Sequence, residues 1–265
     1  MKKLLEANVA YGRRRISQVF ADFVELSALA IRNSVDRHGY DEREERYMQI
    51  VAGYSPEEID RFHELLSKLI EEFEAGLGDH LGHLYMSLDL GSDALGQFFT
   101  PYEVSLLVAK MTIGSYVAPL QDDGNGTRQD YITVSEPTSG SGGMIIALAQ
   151  ALREENVNFQ QALHVTAQDL DPTAVHMTYV QISLLNIPAV VIRGNSLTLE
   201  QLDVWPTPAH ILGGWNARLR DRAAVNAALA LENELLSDPE AADEPAPIVD
   251  LGAVPDADGE AQPAA

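Results

Sequence analysis

The strongest constraint on this chain is an alternation of two periodicities in its central part. Residues 131–135 read Tyr-Ile-Thr-Val-Ser, a short β-branched strand, and a glycine-rich turn leads from them into a helical stretch at 144–152. A second strand is predicted at 164–168 and a helix at 173–185, opened by Asp171 and Pro172. A third strand is predicted at 189–192. Strands in this order with helices between them specify a parallel sheet, because parallel neighbours need a crossover rather than a tight turn. The fold class is therefore α/β.

Before this region the pattern is helical. Ile16, Val19, Phe20, Phe23, Val24, Leu26 and Leu29 recur at helical spacing. Ser55, Pro56, Glu57 and Glu58 read as a helix start, with Ser as N-cap and Pro at the first helical position. The following apolar positions, Ile59 to Phe73, share one face, and Gly76 and Gly78 end it. After Gln201 the pattern fades, Trp205 to Pro208 read as a loop, and residues 216–236 read as a helix. The expected division is a helical domain over 1–90, an α/β domain over 91–236, and an acidic disordered tail over 237–265.

Charge narrows the function. Forty acidic residues against eighteen basic ones leave a net charge of −22. Eight of the acids lie in the tail, so the rest still carries −14. That balance argues against a free-standing duplex binder, which relies on cationic contacts with phosphates. With no cysteine, disulfides, thiolate metal sites and thiol nucleophiles are excluded, and no metal site is expected. No secretory signal and no apolar run of membrane-spanning length is visible, so the expectation is a cytoplasmic protein without a membrane partner.

Three local features carry chemistry. Glu136 to Gly143, Glu-Pro-Thr-Ser-Gly-Ser-Gly-Gly, joins the first strand to a helix. Ligands bind at the carboxyl ends of such strands, and a helix N-terminus favours an anionic group. The same glycines also suit a plain tight turn. Asp169 ends the second strand, where a carboxylate either accepts bonds from ribose hydroxyls or favours the next helix N-terminus. Asp171 fits the second role better. Third, residues 96–103 read Gly-Gln-Phe-Phe-Thr-Pro-Tyr-Glu. Thr100, Pro101 and Glu103 suit a capping box, which leaves the paired Phe98 and Phe99 unexplained.

Together these features resemble the cofactor motifs of adenine-N6 DNA methyltransferases, and most nearly the modification subunit of type I restriction systems. The resemblance covers about residues 91–199 and, more loosely, the helical region before them. It implies a Rossmann-like methyltransferase core with an N-terminal helical domain, S-adenosylmethionine as cofactor and DNA as substrate. It also implies site residues: Phe98, Phe99, Thr100 and Pro101 beside the methionine part, the backbone of the Ser139, Gly140, Ser141 and Gly142 turn through Gly143 around its amino-acid moiety, and Glu136 and Pro137 as further cofactor-binding residues. Asp169 would hold the ribose and Leu170 would pack on adenine. Asn195, in Gly194-Asn195-Ser196-Leu197, stands where the family carries an acid.

The sequence departs from the family in its catalytic loop. No Asn-Pro-Pro-Tyr/Phe occurs, and Asp203, Trp205 and Pro206 are the nearest candidates. Residues 203–208 otherwise read as a rigid surface or interface loop, with His210 unassigned. Arg218, Arg220 and Arg222 form the best basic patch. Three strands make only a partial sheet. The open edge is expected to be covered either by residues 204–212 or by another subunit, giving a homodimer or a restriction–modification assembly. Two functions stay open: an adenine-N6 DNA methyltransferase, or an inactive cofactor-binding homologue that regulates or interferes with a restriction–modification complex.

Overall fold

The computed structural model describes residues 1–9, 12–90, 99–117, 120 and 130–237. The helices before the sheet are α1 Lys2–Ala7, α2 Ile16–Val35, α3 Tyr40–Val51, α4 Pro56–Ala75, α5 His80–Ser87 and α6 Tyr102–Val117. The capping box at α4 forms as expected: Ser55 Oγ accepts from Glu58 N–H at 3.3 Å, and Glu58 accepts from Ser55 N–H at 2.8 Å. Such a cap stabilises a helix by about 1 kcal/mol. Val19, Phe20, Phe23 and Val24 of α2 are buried, as their spacing predicted. Helix α6 starts one residue later than its sequence suggests, because the Pro101 carbonyl accepts its first bonds, from Val104 and Ser105.

The three expected strands form as β1 Ile132–Glu136, β2 Leu163–Asp169 and β3 Ala189–Asn195. They pair in parallel, and the sheet order is β1-β2-β3-β4. Helices α7 Gly143–Glu154 and α9 Pro172–Leu184 make the crossovers, with the short α8 Phe159–Ala162 leading into β2. Right-handed crossovers that step in one direction put α7 and α9 on the same face of the sheet. On that face Val165, Ala167, Val191 and Trp205 are buried, while Thr133, Ser135 and Thr166 on the other are exposed.

One expectation is corrected here. Residues 203–206, expected in a loop, belong instead to strand β4, Glu200–Pro206, antiparallel to β3. Asn195 Oδ1 accepts from Leu197 and Thr198 N–H and turns the chain back. The strand was obscured because only Trp205 and Asp203 face the helices, while Leu202 and Val204 point outward, and the strand ends on a proline. Helix α10 Pro208–Leu212 then starts at Thr207, and α11 Trp215–Ser237 follows. Met1–Ala217 form one compact unit and Arg218–Ala265 a second. The tail beyond residue 237 lies outside the described residues. Among the described residues, no helix is long and apolar enough to cross a membrane.

Near the start of β2, His164 Nε2 lies 2.9 Å from His210 Nδ1, and His210 Nε2 lies 3.0 Å from Asn216 Oδ1. An amide oxygen only accepts, so His210 carries its proton on Nε2 and its bare Nδ1 accepts from His164. His210 is thus built into the fold as a neutral ring. Burial holds His210 below the ordinary imidazole range, and it does the same to His176 of α9. The unfolded chain therefore takes up these protons first as pH falls. Stability is full above the unfolded value of about 6.5 and declines below it, towards the lowered folded values. The urea midpoint is expected to be lower at about pH 5.5 than at about pH 7.5, and His210→Gln to shrink that difference. Equal midpoints at the two pH values in the wild type would refute this.

Candidate functional site

The glycine-rich turn is held by the elements around it. Gly140 and Gly142 have φ of 55° and 92°, left-handed values that glycine adopts without a side-chain clash. A Cβ added to Gly140 would also come within 2.9 Å of the Phe99 ring. Ser139 N–H donates to the Gln168 carbonyl at 2.8 Å, tying the turn to the end of β2. Thr178 Oγ1, from α9, donates to the Gly140 carbonyl at 2.9 Å. The turn then opens α7, whose first residue is Gly143.

The two acids at and just past the end of β2 do different work. Asp169 Oδ2 accepts from Gly140 N–H at 2.8 Å and its Oδ1 from Asp171 N–H at 3.0 Å. Asp171 caps α9, accepting from Thr173 N–H at 2.8 Å. The Asp169 carboxylate keeps further lone pairs on each oxygen. Phe99 packs at a tilt against Tyr85 of α5, 5.2 Å from ring centroid to ring centroid, which links the site to the aromatic core of the N-terminal helices. Burial raises the Tyr85 phenol above its ordinary value.

Between these elements lies a cavity of about 470 Å³. Of the predicted residues, Phe99, Thr100, Glu136, Ser139, Gly140, Ser141 and Asp169 line it. Pro101, Pro137, Gly142, Leu170 and Asn195 do not: Pro101 opens α6, Pro137 and Leu170 are exposed, Gly142 is buried in the turn, and Asn195 forms the turn before β4. Phe98 lies outside the described residues. Asp203, Trp205 and Pro206 sit on β4, beyond β3, on the opposite side of the sheet from β1. The structure does not bring them to this cavity. Trp205 is buried there, its Nε1 donating to Asp203 Oδ2 at 2.8 Å with the Arg32 guanidinium over its ring.

Asp79 is the residue that sequence reasoning missed. It is buried beneath the turn and lines the cavity. Its Oδ2 accepts from Ser141 Oγ at 2.5 Å; its Oδ1 accepts from Gly82 N–H at 2.9 Å and Gln181 Nε2 at 2.8 Å. Gln181 in turn donates to the Ser141 carbonyl and accepts from Leu81 N–H. One carboxylate thereby joins α5, α9 and the glycine turn. The sequence signal was only that of a helix N-cap. Among the described residues, three carboxylates and no Lys or Arg line the cavity.

The N-6 DNA methylase family model matches residues 80–212, half of the 265-residue chain. Among curated proteins no match is found. Among solved structures, the chain is similar to a Listeria monocytogenes protein provisionally described as a class I S-adenosylmethionine-dependent methyltransferase. The identity is 13%, the coverage 76% of this chain and 54% of that one, and the TM-score 0.34. The chain thus spans about half the length of that protein. By the family match, which runs from α5 through α10 and takes in the cavity, the chain belongs to the N-6 DNA methylase family.

Proposed function

We propose that the cavity binds S-adenosylmethionine and that the chain is the cofactor-binding part of an adenine-N6 DNA methyltransferase of the type I modification-subunit kind. The observation that carries this is the charge of the lining. A glycine-rich turn opening a helix also suits a dinucleotide, but a pyrophosphate would meet Asp79, Glu136 and Asp169 with no lining cation among the described residues to offset them. A sulfonium nucleoside with an ammonium group suits those carboxylates and the face of Phe99. When bound, the cofactor supplies a methyl group activated by the adjacent sulfonium.

The residues divide the binding. The free lone pairs of Asp169 accept from the ribose hydroxyls. Backbone N–H groups at the start of α7 receive the amino-acid carboxylate, and Glu136 faces its ammonium. Phe99 and Thr100 close the methionine side, with Phe98 and Pro101 as their neighbours. Leu170 and Asn195 lie outside the cavity lining, and Asn195 Oδ1 is already engaged in the turn before β4, so neither is given a part in this binding. Asp79 holds the turn from below and is a positioning residue, since both its oxygens are already engaged.

Titration calorimetry with S-adenosylmethionine tests this reading. Wild-type protein binds, and Asp169→Ala weakens binding by about 1–3 kcal/mol, on the order of tenfold, through the lost ribose hydrogen bonds. No heat of binding at millimolar cofactor would reject the proposal. A second reading, an inactive cofactor-binding homologue acting on a restriction–modification complex, is favoured by the placement of Asp203, Trp205 and Pro206 away from the cavity. Transfer of a tritiated methyl group to unmethylated DNA by the purified chain would reject that second reading.

A further inference from the structure

We propose that a second cavity, on the helix-covered face of the sheet, binds a zwitterionic α-amino acid with an apolar side chain. It has a volume of about 410 Å³ and lies where α2, α3 and the start of α9 meet β3 and β4. Its floor is apolar: Leu29, Val175 and Trp205 line it and are buried. Arg193 and Glu42 also line it and are exposed, which places them at its mouth. Arg193 stands two residues past the buried Val191 on β3, and alternate strand positions share a face, so it turns toward the helices. No residue lines both this cavity and the one ascribed to the cofactor.

The charges select the ligand. Among the described residues, Arg43, Arg46 and Arg193 line the cavity against Glu25, Glu42 and Asp203. Four of these six are engaged within the protein. Arg46 makes two bonds to Glu25, at 2.6 and 2.8 Å. Arg43 donates to Asn33 Oδ1 and to the carbonyls of Asp36 and His38. Asp203 accepts from the Trp205 indole and lies 3.9 Å from Arg32. Arg193 and Glu42 have no ion pair and no side-chain hydrogen bond among the described residues, although Asp203 stands opposite Arg193 across the strands. One cation and one anion are thus left facing the same space. A simple anion suits Arg193 but meets Glu42, and a simple cation does the reverse. A ligand with a carboxylate and an ammonium suits both, and its apolar side chain covers the floor. His176 adds a further polar group. Its ring packs edge-on against Trp205 at 5.0 Å, and its nitrogens have no hydrogen-bond partner among the described residues.

Saturation-transfer NMR on L-leucine with the full chain tests this. L-Leucine is expected to bind with a dissociation constant in the millimolar range or below. N-acetyl-L-leucine lacks the ammonium and L-leucinamide lacks the carboxylate. Each is expected to bind at least about tenfold more weakly, the effect of one charge-assisted hydrogen bond. Arg193→Gln and Glu42→Gln are expected to weaken L-leucine binding by a similar factor, with unchanged thermal melts because both side chains are exposed. S-adenosylmethionine is expected not to displace L-leucine, which separates this site from the cofactor cavity. Absence of L-leucine binding at high millimolar concentration, equal binding of either singly charged analogue, full affinity in Arg193→Gln or Glu42→Gln, or displacement by S-adenosylmethionine would overturn the proposal.

Discussion

Replacing Asp79 with alanine is expected to lower the thermal midpoint by roughly 10 °C and to weaken cofactor binding about tenfold in the protein that remains folded. The stability loss follows from the groups left behind. Ser141 Oγ, Gly82 N–H and Gln181 Nε2 all donate to this carboxylate, and all lie in buried surroundings. An unsatisfied buried donor costs about 1–3 kcal/mol, and Gln181 keeps one partner in the Ser141 carbonyl, so about 3–5 kcal/mol is lost in all. For a unit of this size each kcal/mol moves the midpoint by about 2–4 °C. The binding loss follows because the turn is no longer held against α5 and α9. Asp79→Asn separates the two roles of the carboxylate. Its amide oxygen still accepts from Gly82 and Gln181, and its NH₂ donates to Ser141, whose hydroxyl rotates. Asn is therefore expected to recover most of the stability. A melt for Asp79→Ala within 2 °C of wild type, by the same arithmetic under about 1 kcal/mol, would show that the network does not hold the site together.

The second large effect is at Trp205, and it is structural. Its indole is buried between Tyr179 and His176, with ring centroids 5.2 and 5.0 Å away, and Arg32 lies over it at 4.9 Å. Trp205→Ala is expected to destabilise the protein by about 3–5 kcal/mol through the cavity it leaves. Asp203→Asn is expected to change stability by less than about 1 kcal/mol, because its side chain is 47% exposed and its ion pair with Arg32 spans 3.9 Å. Neither substitution should alter the affinity for S-adenosylmethionine in the folded protein, since neither residue lines the cavity. Chemical denaturation and calorimetry on both variants check this. If Asp203→Asn left stability intact and yet abolished an observed methyl transfer, β4 would have to be given a catalytic role after all.

Much of the site could be read from the chain because its signals are local. The turn between β1 and α7 needs left-handed residues, and glycines stand at 140 and 142 where those conformations occur. Asp171 before Pro172 is a local capping pattern, and the structure uses it so. The phase of Phe20, Phe23 and Val24 marks the buried stripe of α2 without reference to anything distant. By contrast, Asp79 and Ser141 meet across 62 positions of sequence, and Asp79 and Gln181 across 102. Neither residue type nor spacing announces such a meeting. Strand β4 was missed for a related reason. An exposed edge strand has little apolar alternation of its own and is defined by the partner it pairs with.

Local order alone thus determined that three strands, two crossover helices and a glycine turn would build a parallel sheet with a pocket at its carboxyl end. It also determined that Asp169 would stand beside that turn, since both ends of the crossover are fixed by their own short-range chemistry. Only the tertiary structure decided that Asp79 holds the pocket from below and that residues 203–206 complete the far edge of the sheet. Those outcomes depend on which distant surfaces come together, and burial and hydrogen-bond satisfaction are settled only when the whole chain has packed.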